Sequence, residues 1–243
     1  MGSEFQIITY NVGNGRANPT RLVEMLRTCG ADVVALQELS HPQADEIVNK
    51  LSYQFPHRSM FPGGFAGKAV LSRFPILKAV QVHLGPERPD LMVKLAIEGE
   101  AISVITAHPP PPRLHRTGFH FDHPTLGQIR TLAALAVDNS PALLVGDFNL
   151  VDLQQEYHFL HNLGLIDAFL VSGRGFGYTL PRRVGPWKRF QLLNRLISWI
   201  PLIPVARVDY IWYTNPLECR SSWVGKDAGS DHLPVLAKFY FPV

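Results

Sequence analysis

The stretch Leu143-Leu144-Val145-Gly146-Asp147-Phe148-Asn149-Leu150-Val151-Asp152 decides how the rest of the chain is read. Its consecutive apolar residues make a buried strand, and Gly146 allows a sharp turn. Asp147 and Asn149 follow with the period-two spacing that puts both side chains on one side. One is a carboxylate that accepts from a water or holds a cation; the other is a neutral donor. A strand end that delivers both to one point suits phosphoryl chemistry, which needs an oriented water and donors facing the charge that grows on phosphate oxygens. Taken alone, the tripeptide is more often simply an Asp- and Asn-rich turn after a strand. Whether other strands end in the same way settles the matter.

Upstream they do. Phe5 to Tyr10 is apolar and β-branched enough for a buried strand, with Asn11 at its end and a turn at Val12-Gly13-Asn14-Gly15. Leu22, Val23, Leu26 and Cys29 have helical spacing, with Pro19 near the start and Gly30 past the end. A second strand, Ala31 to Gln37, delivers Glu38. Strand, helix, strand, with polar residues at both strand ends, is the α/β pattern whose sites lie beyond the carboxyl edges, so Asn11 and Glu38 are expected to be neighbours. A helix over Pro42 to Leu51 and strands over Gly67–Ser72, Ile76–Val82, Leu91–Ile97 and Ala101–Thr106 come next, the last ending in His108. Pro109 to Pro112 reads as a stiff exposed connector.

Downstream, Thr125 to Asp138 reads as a helix covering the sheet and Tyr157 to Leu163 as another. Val205 to Tyr213 reads as a strand carrying a buried Asp209. Gly229-Ser230-Asp231-His232-Leu233-Pro234-Val235 precedes a final strand through Phe241. Six polar positions thus stand at strand ends: Asn11, Glu38, His108, Asp147 with Asn149, Asp209, and Asp231 with His232. Each alone has a plain structural explanation as a cap, turn or loop residue. Together they form an ordered series.

Composition bounds what that series can be. The chain has 243 residues, 46% hydrophobic and 18% charged, enough for one large domain with a substantial core. Residues 6–243 read as that domain, and residues 1–5 as vector-derived. A net charge of +3 excludes a polycation, so any preference for nucleic acid or an anionic surface must come from local patches. Cys29 and Cys219 offer neither metal-ligand spacing nor a disulfide framework, and Cys29 reads as a buried apolar thiol. No signal-peptide pattern or membrane span is evident, the compartment is left open, and a monomer is expected.

The motifs Tyr10-Asn11-Val12, Leu36-Gln37-Glu38, Leu71-Ser72-Arg73-Phe74-Pro75, Thr106-Ala107-His108, Gly146-Asp147-Phe148-Asn149, Val208-Asp209-Tyr210 and Gly229-Ser230-Asp231-His232-Leu233-Pro234-Val235 resemble the endonuclease/exonuclease/phosphatase superfamily, in its order. That superfamily includes pancreatic-type DNase, abasic-site exonucleases and neutral sphingomyelinases. The resemblance covers Ile7 to Phe241 and implies an α/β, DNase I-like, four-layer sandwich of two packed mixed β-sheets flanked by helices. It implies an enzyme that hydrolyses phosphodiester bonds with Mg²⁺ or Mn²⁺. The cation would be held by Glu38 with Asn11 and Asp231. Asp147 would position or deprotonate the attacking water, Asn149 would donate to a phosphate oxygen, and His232, supported by Asp209, would stabilise the transition state. His108 would stand on the leaving-group or phosphate side. Gly13 occupies the place of an acidic residue of abasic-site exonucleases, and His108 the place of their tyrosine.

Substrate is read from elsewhere in the chain. Between Asp167 and Asp209 lie seven basic residues and no acidic one. Arg182, Arg183 and Lys188 interleaved with Tyr178 and Trp187 suit phosphate contacts with base stacking, which favours DNA as substrate and a DNase-type nuclease. Residues 188–200 also read as a basic amphipathic stretch suited to an anionic membrane surface, which keeps a sphingomyelinase-like phospholipid hydrolase or a small-molecule phosphodiesterase as the alternative. A catalytically silent binding module is the remaining reading. His115, His120 and His123 read as solvated loop histidines rather than a second metal site.

Overall fold

In the computed structural model, residues 4–84, 88–115, 118–183 and 202–242 are described. In chain order the elements are β1 (Glu4–Asn11), α1 (Pro19–Thr28), β2 (Val33–Gln37), α2 (His41–Leu51), β3 (His57–Phe61), β4 (Lys68–Ser72), β5 (Ile76–Val82), β6 (Asp90–Ile97), β7 (Glu100–Ala107), β8 (Arg113–His115), β9 (Gly118–His120) and α3 (His123–Asp138). They continue with β10 (Ala142–Asp147), α4 (Gln155–Asn162), β11 (Ile166–Asp167), α5 (Ala168–Ser172), β12 (Gly173–Arg174), β13 (Asp209–Tyr213), β14 (Glu218–Val224) and β15 (Val235–Tyr240).

Two mixed sheets result, one of seven strands in the order β12-β14-β15-β1-β2-β4-β3 and one of six in the order β11-β13-β10-β7-β6-β5. Alternation along each strand decides what lies where. In β1, Phe5 and Ile7 point between the sheets, where they meet Val93, Val104, Val145, Ile211 and Phe239. Ile8 and Tyr10 point outward and are covered by Leu22, Leu26, Ile47 and Leu51 of α1 and α2. The six-stranded sheet is covered in the same way, with Leu144, Tyr210 and Trp212 under Ile129, Leu132 and Ala133 of α3 and Tyr157 and Leu160 of α4. Strands buried on both faces read as continuous apolar runs, as in β2 and β10. The four layers expected from the sequence are present.

Local signals set the helix starts. Asn18 accepts from the Arg21 amide at 3.1 Å to cap α1, and Asp122 accepts from the Thr125 amide at 2.9 Å to cap α3. Because Asp122 rather than Thr125 is the cap, α3 begins two residues earlier than its apolar spacing indicates.

Two expectations are corrected and one strand is added. Strand β1 runs from Glu4 to Asn11 rather than from Phe5 to Tyr10, since Glu4 pairs with Tyr240 and Phe5, buried, stacks on Phe239 with ring centroids 5.8 Å apart. The strand expected from Val205 begins only at Asp209, because Ala206 pairs instead with Leu180 in an isolated bridge. Strand β14, unremarkable in sequence because Arg220, Ser221 and Ser222 interrupt any apolar run, pairs β15 along its length. Among the described residues no helix is long and apolar enough to cross a membrane.

Candidate active site

Four strand ends meet at one edge of the sandwich because β1 and β2 run parallel in one sheet and β7 and β10 run parallel in the other. Their carboxyl ends carry Asn11, Glu38, His108 and Asp147. Strand β13 runs antiparallel to β10 and puts Asp209 opposite Asp147. Strand β15 runs antiparallel to β1, so the loop before it, with Asp231 and His232, arrives at the same edge. Two glycines let the ends turn. A Cβ at Gly146 (φ +141°) would stand 2.0 Å from the Ala107 carbonyl oxygen, and one at Gly67 would stand 2.0 Å from that of Leu39, in the turn holding Glu38. Glu38 and Asn149 themselves have φ of +55° and +53°, a left-handed conformation that costs non-glycine residues about 1–2 kcal/mol and is concentrated at functional sites.

Asp147 is the hub. Its Oδ2 accepts from Asn11 Nδ2 at 2.9 Å and lies 3.3 Å from His108 Nε2 and 3.6 Å from His232 Nε2. Its Oδ1 accepts from the Asn149 amide at 2.9 Å. Burial alone would raise this carboxyl; His232, His108 and Asn11 overcome that and hold it well below the usual range, so it stays ionised.

His232 Nδ1 donates to Asp209 Oδ2 at 2.8 Å, and both residues are buried. Burial opposes charge on the imidazole, but Asp209 and Asp147 outweigh it and push the pKa up from 6.5 to about 10. Burial also pushes the Asp209 carboxyl up, against the pull of His232. The pair therefore holds a proton on the ring, with Nε2–H aimed toward Asp147. The loop carrying His232 is pinned to β1. Ser230 Oγ donates to the Asn11 carbonyl at 2.7 Å and accepts from the His232 amide at 3.3 Å, while Tyr10 Oη accepts from the Ser230 amide at 3.4 Å.

Asp147, Asp209 and His232 bring ligand atoms within 4.8 Å of one another. A metal ion there would have to displace the proton that Asp209 and Asp147 favour on the ring. The oxygen-rich side is different. Burial, with Asp147 and Asp231 nearby, raises the Glu38 carboxyl against the pull of His108 and Asn11, a surplus of negative charge that a hard divalent cation would relieve. Glu38, Asn11 and Asp231 therefore fit a Mg²⁺ or Mn²⁺ ion in chemistry. Two engagements must yield to it: Asn11 Nδ2 donates to Glu38 Oε1 at 3.3 Å while its Oδ1 accepts from the Gly13 amide at 3.0 Å, and Asp231 is paired with Arg16.

Several partners in the site have no signature in sequence. Arg88 Nη1 lies 3.0 Å from His108 Nε2. Beneath the site Gln37 Nε2 donates to Thr106 Oγ1 at 2.7 Å and to Thr9 Oγ1 at 3.1 Å, tying the two sheets together. Arg16, in the turn after β1, is the ion-pair partner of Asp231. The signal missed for both arginines is a polar residue just before a strand or just after one, which periodicity treats as a boundary.

Arg182 and Arg183, read from the sequence as phosphate contacts, have partners within the chain. Arg182 Nη1 donates to the Leu202 carbonyl at 2.8 Å with its Nε 3.5 Å from Asp227, and Arg183 is also ion-paired with Asp227, so both serve the fold before they meet a phosphate. Tyr178, half exposed, stacks parallel to Phe176 with centroids 6.2 Å apart. Trp187, Lys188 and the stretch 188–200 lie outside the described residues. Tyr178 and Phe176 line a groove of about 490 Å³ with Leu153, Phe169, Leu170, Val205 and Arg207, which begins at Val151, two residues beyond Asn149.

The Endonuclease/Exonuclease/phosphatase family matches residues 8–232 of the chain. Among curated proteins none matches it by sequence. Solved structures share the fold. An endonuclease/exonuclease/phosphatase family protein from Leptotrichia buccalis C-1013-b aligns over 98% of this chain and all of its own, at 21% identity and a TM-score of 0.70. D. rerio TDP2, complexed with a single-strand DNA product, aligns over 98% of this chain and 99% of its own, at 18% identity and a TM-score of 0.73. Sphingomyelinase C from Streptomyces griseocarneus aligns over 97% and 99%, at 19% identity and a TM-score of 0.65. The architecture is that of the DNase I-like α/β sandwich.

Proposed function

Because the chain belongs to the endonuclease/exonuclease/phosphatase family, we propose that it is a divalent-metal-dependent phosphodiesterase of the nuclease type, with DNA as its substrate. The observation that carries the reading is the convergence on Asp147: one ionised carboxylate within 3.6 Å of two imidazoles, backed by Asp209 and flanked by Glu38. Asp147, held ionised, is a weak base and a good acceptor, so it orients the attacking water rather than storing its proton. The His232 imidazolium donates from Nε2 to the phosphate oxygen on which charge grows, and Asp209 keeps that donor charged and fixed. Asn149 Nδ2 donates to the Pro109 carbonyl at 3.0 Å, which leaves the second N–H of the amide for a phosphate oxygen. Arg88, always a donor, lies 3.0 Å from His108 Nε2 and can offer a second N–H to a phosphate oxygen. Held by Glu38 with Asn11 and Asp231, a divalent cation supplies Lewis-acid polarisation of the phosphoryl group.

The stacked Phe176–Tyr178 pair beside the Asn149 loop supports a substrate with bases, since every base has a face that stacks. A second reading, a phospholipid phosphodiester, rests on the aliphatic rim of the same groove, where Leu153 is 89% and Val205 70% exposed. Hydrolysis of duplex DNA, single-stranded DNA, RNA, sphingomyelin and inositol phosphates, each with Mg²⁺, with Mn²⁺ and with chelator, tests both. Cation-dependent cleavage of DNA above the others supports the nuclease. Activity confined to sphingomyelin transfers the reading to lipid, and no cleavage of any of them, or cleavage indifferent to chelator, sinks it.

A further inference from the structure

Beneath His108 lies a buried ion pair that the reaction described above does not use. Lys68, at the start of β4 in the seven-stranded sheet, is 1% exposed and reaches across to the six-stranded sheet, where Nζ donates to the Pro89 carbonyl at 2.7 Å and lies 3.8 Å from Asp90 Oδ1. Asp90, fully buried at the start of β6, accepts at Oδ1 from the His108 amide at 3.3 Å and at Oδ2 from Gln128 Nε2 of α3 at 2.8 Å. Removing two charges from water is costly, and a buried pair is frequently no more stabilising than apolar residues of the same volume. Its partners point to what it does instead. The atoms it holds are the main chain of His108 and the carbonyl of Pro89, the neighbour of Arg88.

Those two residues stand together beside the two carboxylates of the site. His108 Nε2 lies 3.3 Å from Asp147 and 3.6 Å from Glu38, and the Arg88 guanidinium rests 3.0 Å from the same nitrogen. Both lie on backbone outside the sheet pairing: Arg88 precedes β6, and His108 follows β7 and leads into the proline connector. Without a tie between them, their separation would be set only by loops.

We infer that Lys68 and Asp90 are positioning residues, a strut between the two sheets that fixes the main chain on either side of His108 and Arg88 so that both face Asp147 and Glu38. The inference rests on the proposed phosphodiesterase reading for its kinetic test, but its geometric part does not. A misplacement of about 1 Å can cost on the order of 10²-fold in rate.

The test uses the whole chain with Lys68→Met, Asp90→Asn and the double variant, and Tyr157→Phe as a control that loses the Asp167 hydrogen bond away from the site. kcat and KM on bis(p-nitrophenyl) phosphate with Mn²⁺, thermal midpoints, and the His108 imidazole NMR signal, assigned through His108→Gln, are read together. In the double variant no buried charge is left unpaired, and the carboxamide introduced by Asp90→Asn still offers an oxygen to the His108 amide. The expected result is a thermal midpoint near wild type with kcat down about tenfold or more, KM within about twofold, and a shifted His108 signal. A double variant with wild-type kcat and an unmoved His108 signal overturns the inference, as does a kcat loss in Tyr157→Phe that matches the double variant at equal thermal loss. Should wild type hydrolyse no diester, the proposed function fails and the NMR signal alone decides: a shift supports the strut, and no shift removes it.

Discussion

Asp209 never contacts the water or the phosphate in this scheme, yet it decides the charge of the group that does. With Asp209→Asn the ring loses the nearer carboxylate, and Asp147, 3.6 Å away, is left to support its charge. We expect a fold unchanged by circular dichroism and a kcat lower by about 10²–10⁴-fold, the usual span for a displaced acid–base group; wild-type turnover would remove Asp209 from the site. The raised pKa also has a stability consequence of definite sign. His232 binds its proton more tightly folded (about 10) than at its ordinary value of 6.5. Its contribution is fully present below pH 6.5 and is lost as pH rises toward 10. Melting curves between those limits should fall more steeply for wild type than for His232→Gln. Glu38→Ala, by contrast, should weaken Mn²⁺ binding seen by calorimetry, since it removes the carboxylate of the oxygen-rich side; unchanged affinity would place the cation elsewhere. At this scale the sequence was informative about residue types at strand ends, because strands deliver side chains in register. It was silent about Arg88, Lys68 and Asp90, whose importance comes from a meeting of the two sheets that no local pattern encodes.

Strands β1, β2, β7 and β10 make the site possible, and what the sequence says of them follows from how they are buried. Being covered on both faces they appear as largely apolar runs, broken only by small buried polar residues such as Thr9, which is why Ile7–Tyr10, Val33–Leu36 and Leu143–Val145 were legible. Strand β14 was not, because its exposed positions carry polar residues and its identity comes from pairing with β15. The turns at the strand ends are equally exacting. A methyl group at Gly146 meets the Ala107 carbonyl, a backbone atom that cannot swing aside, and β7 pairs β10 there. Gly146→Ala should therefore destabilise by about 2–4 kcal/mol and pull Asp147 away from His108, so that thermal midpoint and kcat fall together. A variant as stable as wild type would show that the two strands have room to part.

Across the whole molecule the charge is nearly balanced, so the substrate must be chosen by one local surface. The count of seven basic and no acidic residues between Asp167 and Asp209 pointed to that surface in sequence, but counting charges ignores partners from outside the segment. Asp227 is such a partner, and it ties Arg182 and Arg183. Neutralising those two should lower the thermal midpoint and leave the salt dependence of DNA binding nearly as it was, whereas neutralising a cation that does meet a phosphate would flatten the slope by about 0.9. The aromatic pair and the aliphatic rim then carry the choice. If bases stack at the groove, Phe176→Ala should weaken single-stranded DNA binding by about 1–3 kcal/mol and leave liposome co-sedimentation alone. If the rim instead meets lipid, Leu153→Ser with Val205→Ser should reduce co-sedimentation with anionic vesicles while DNA affinity stays intact, because those side chains offer area without a ring. Both sets, made in the inactive His232→Ala background so that binding is read without turnover, give opposite patterns. Vesicle binding that falls in the rim variant, with DNA affinity unchanged in the Phe176 variant, would make phospholipid the substrate.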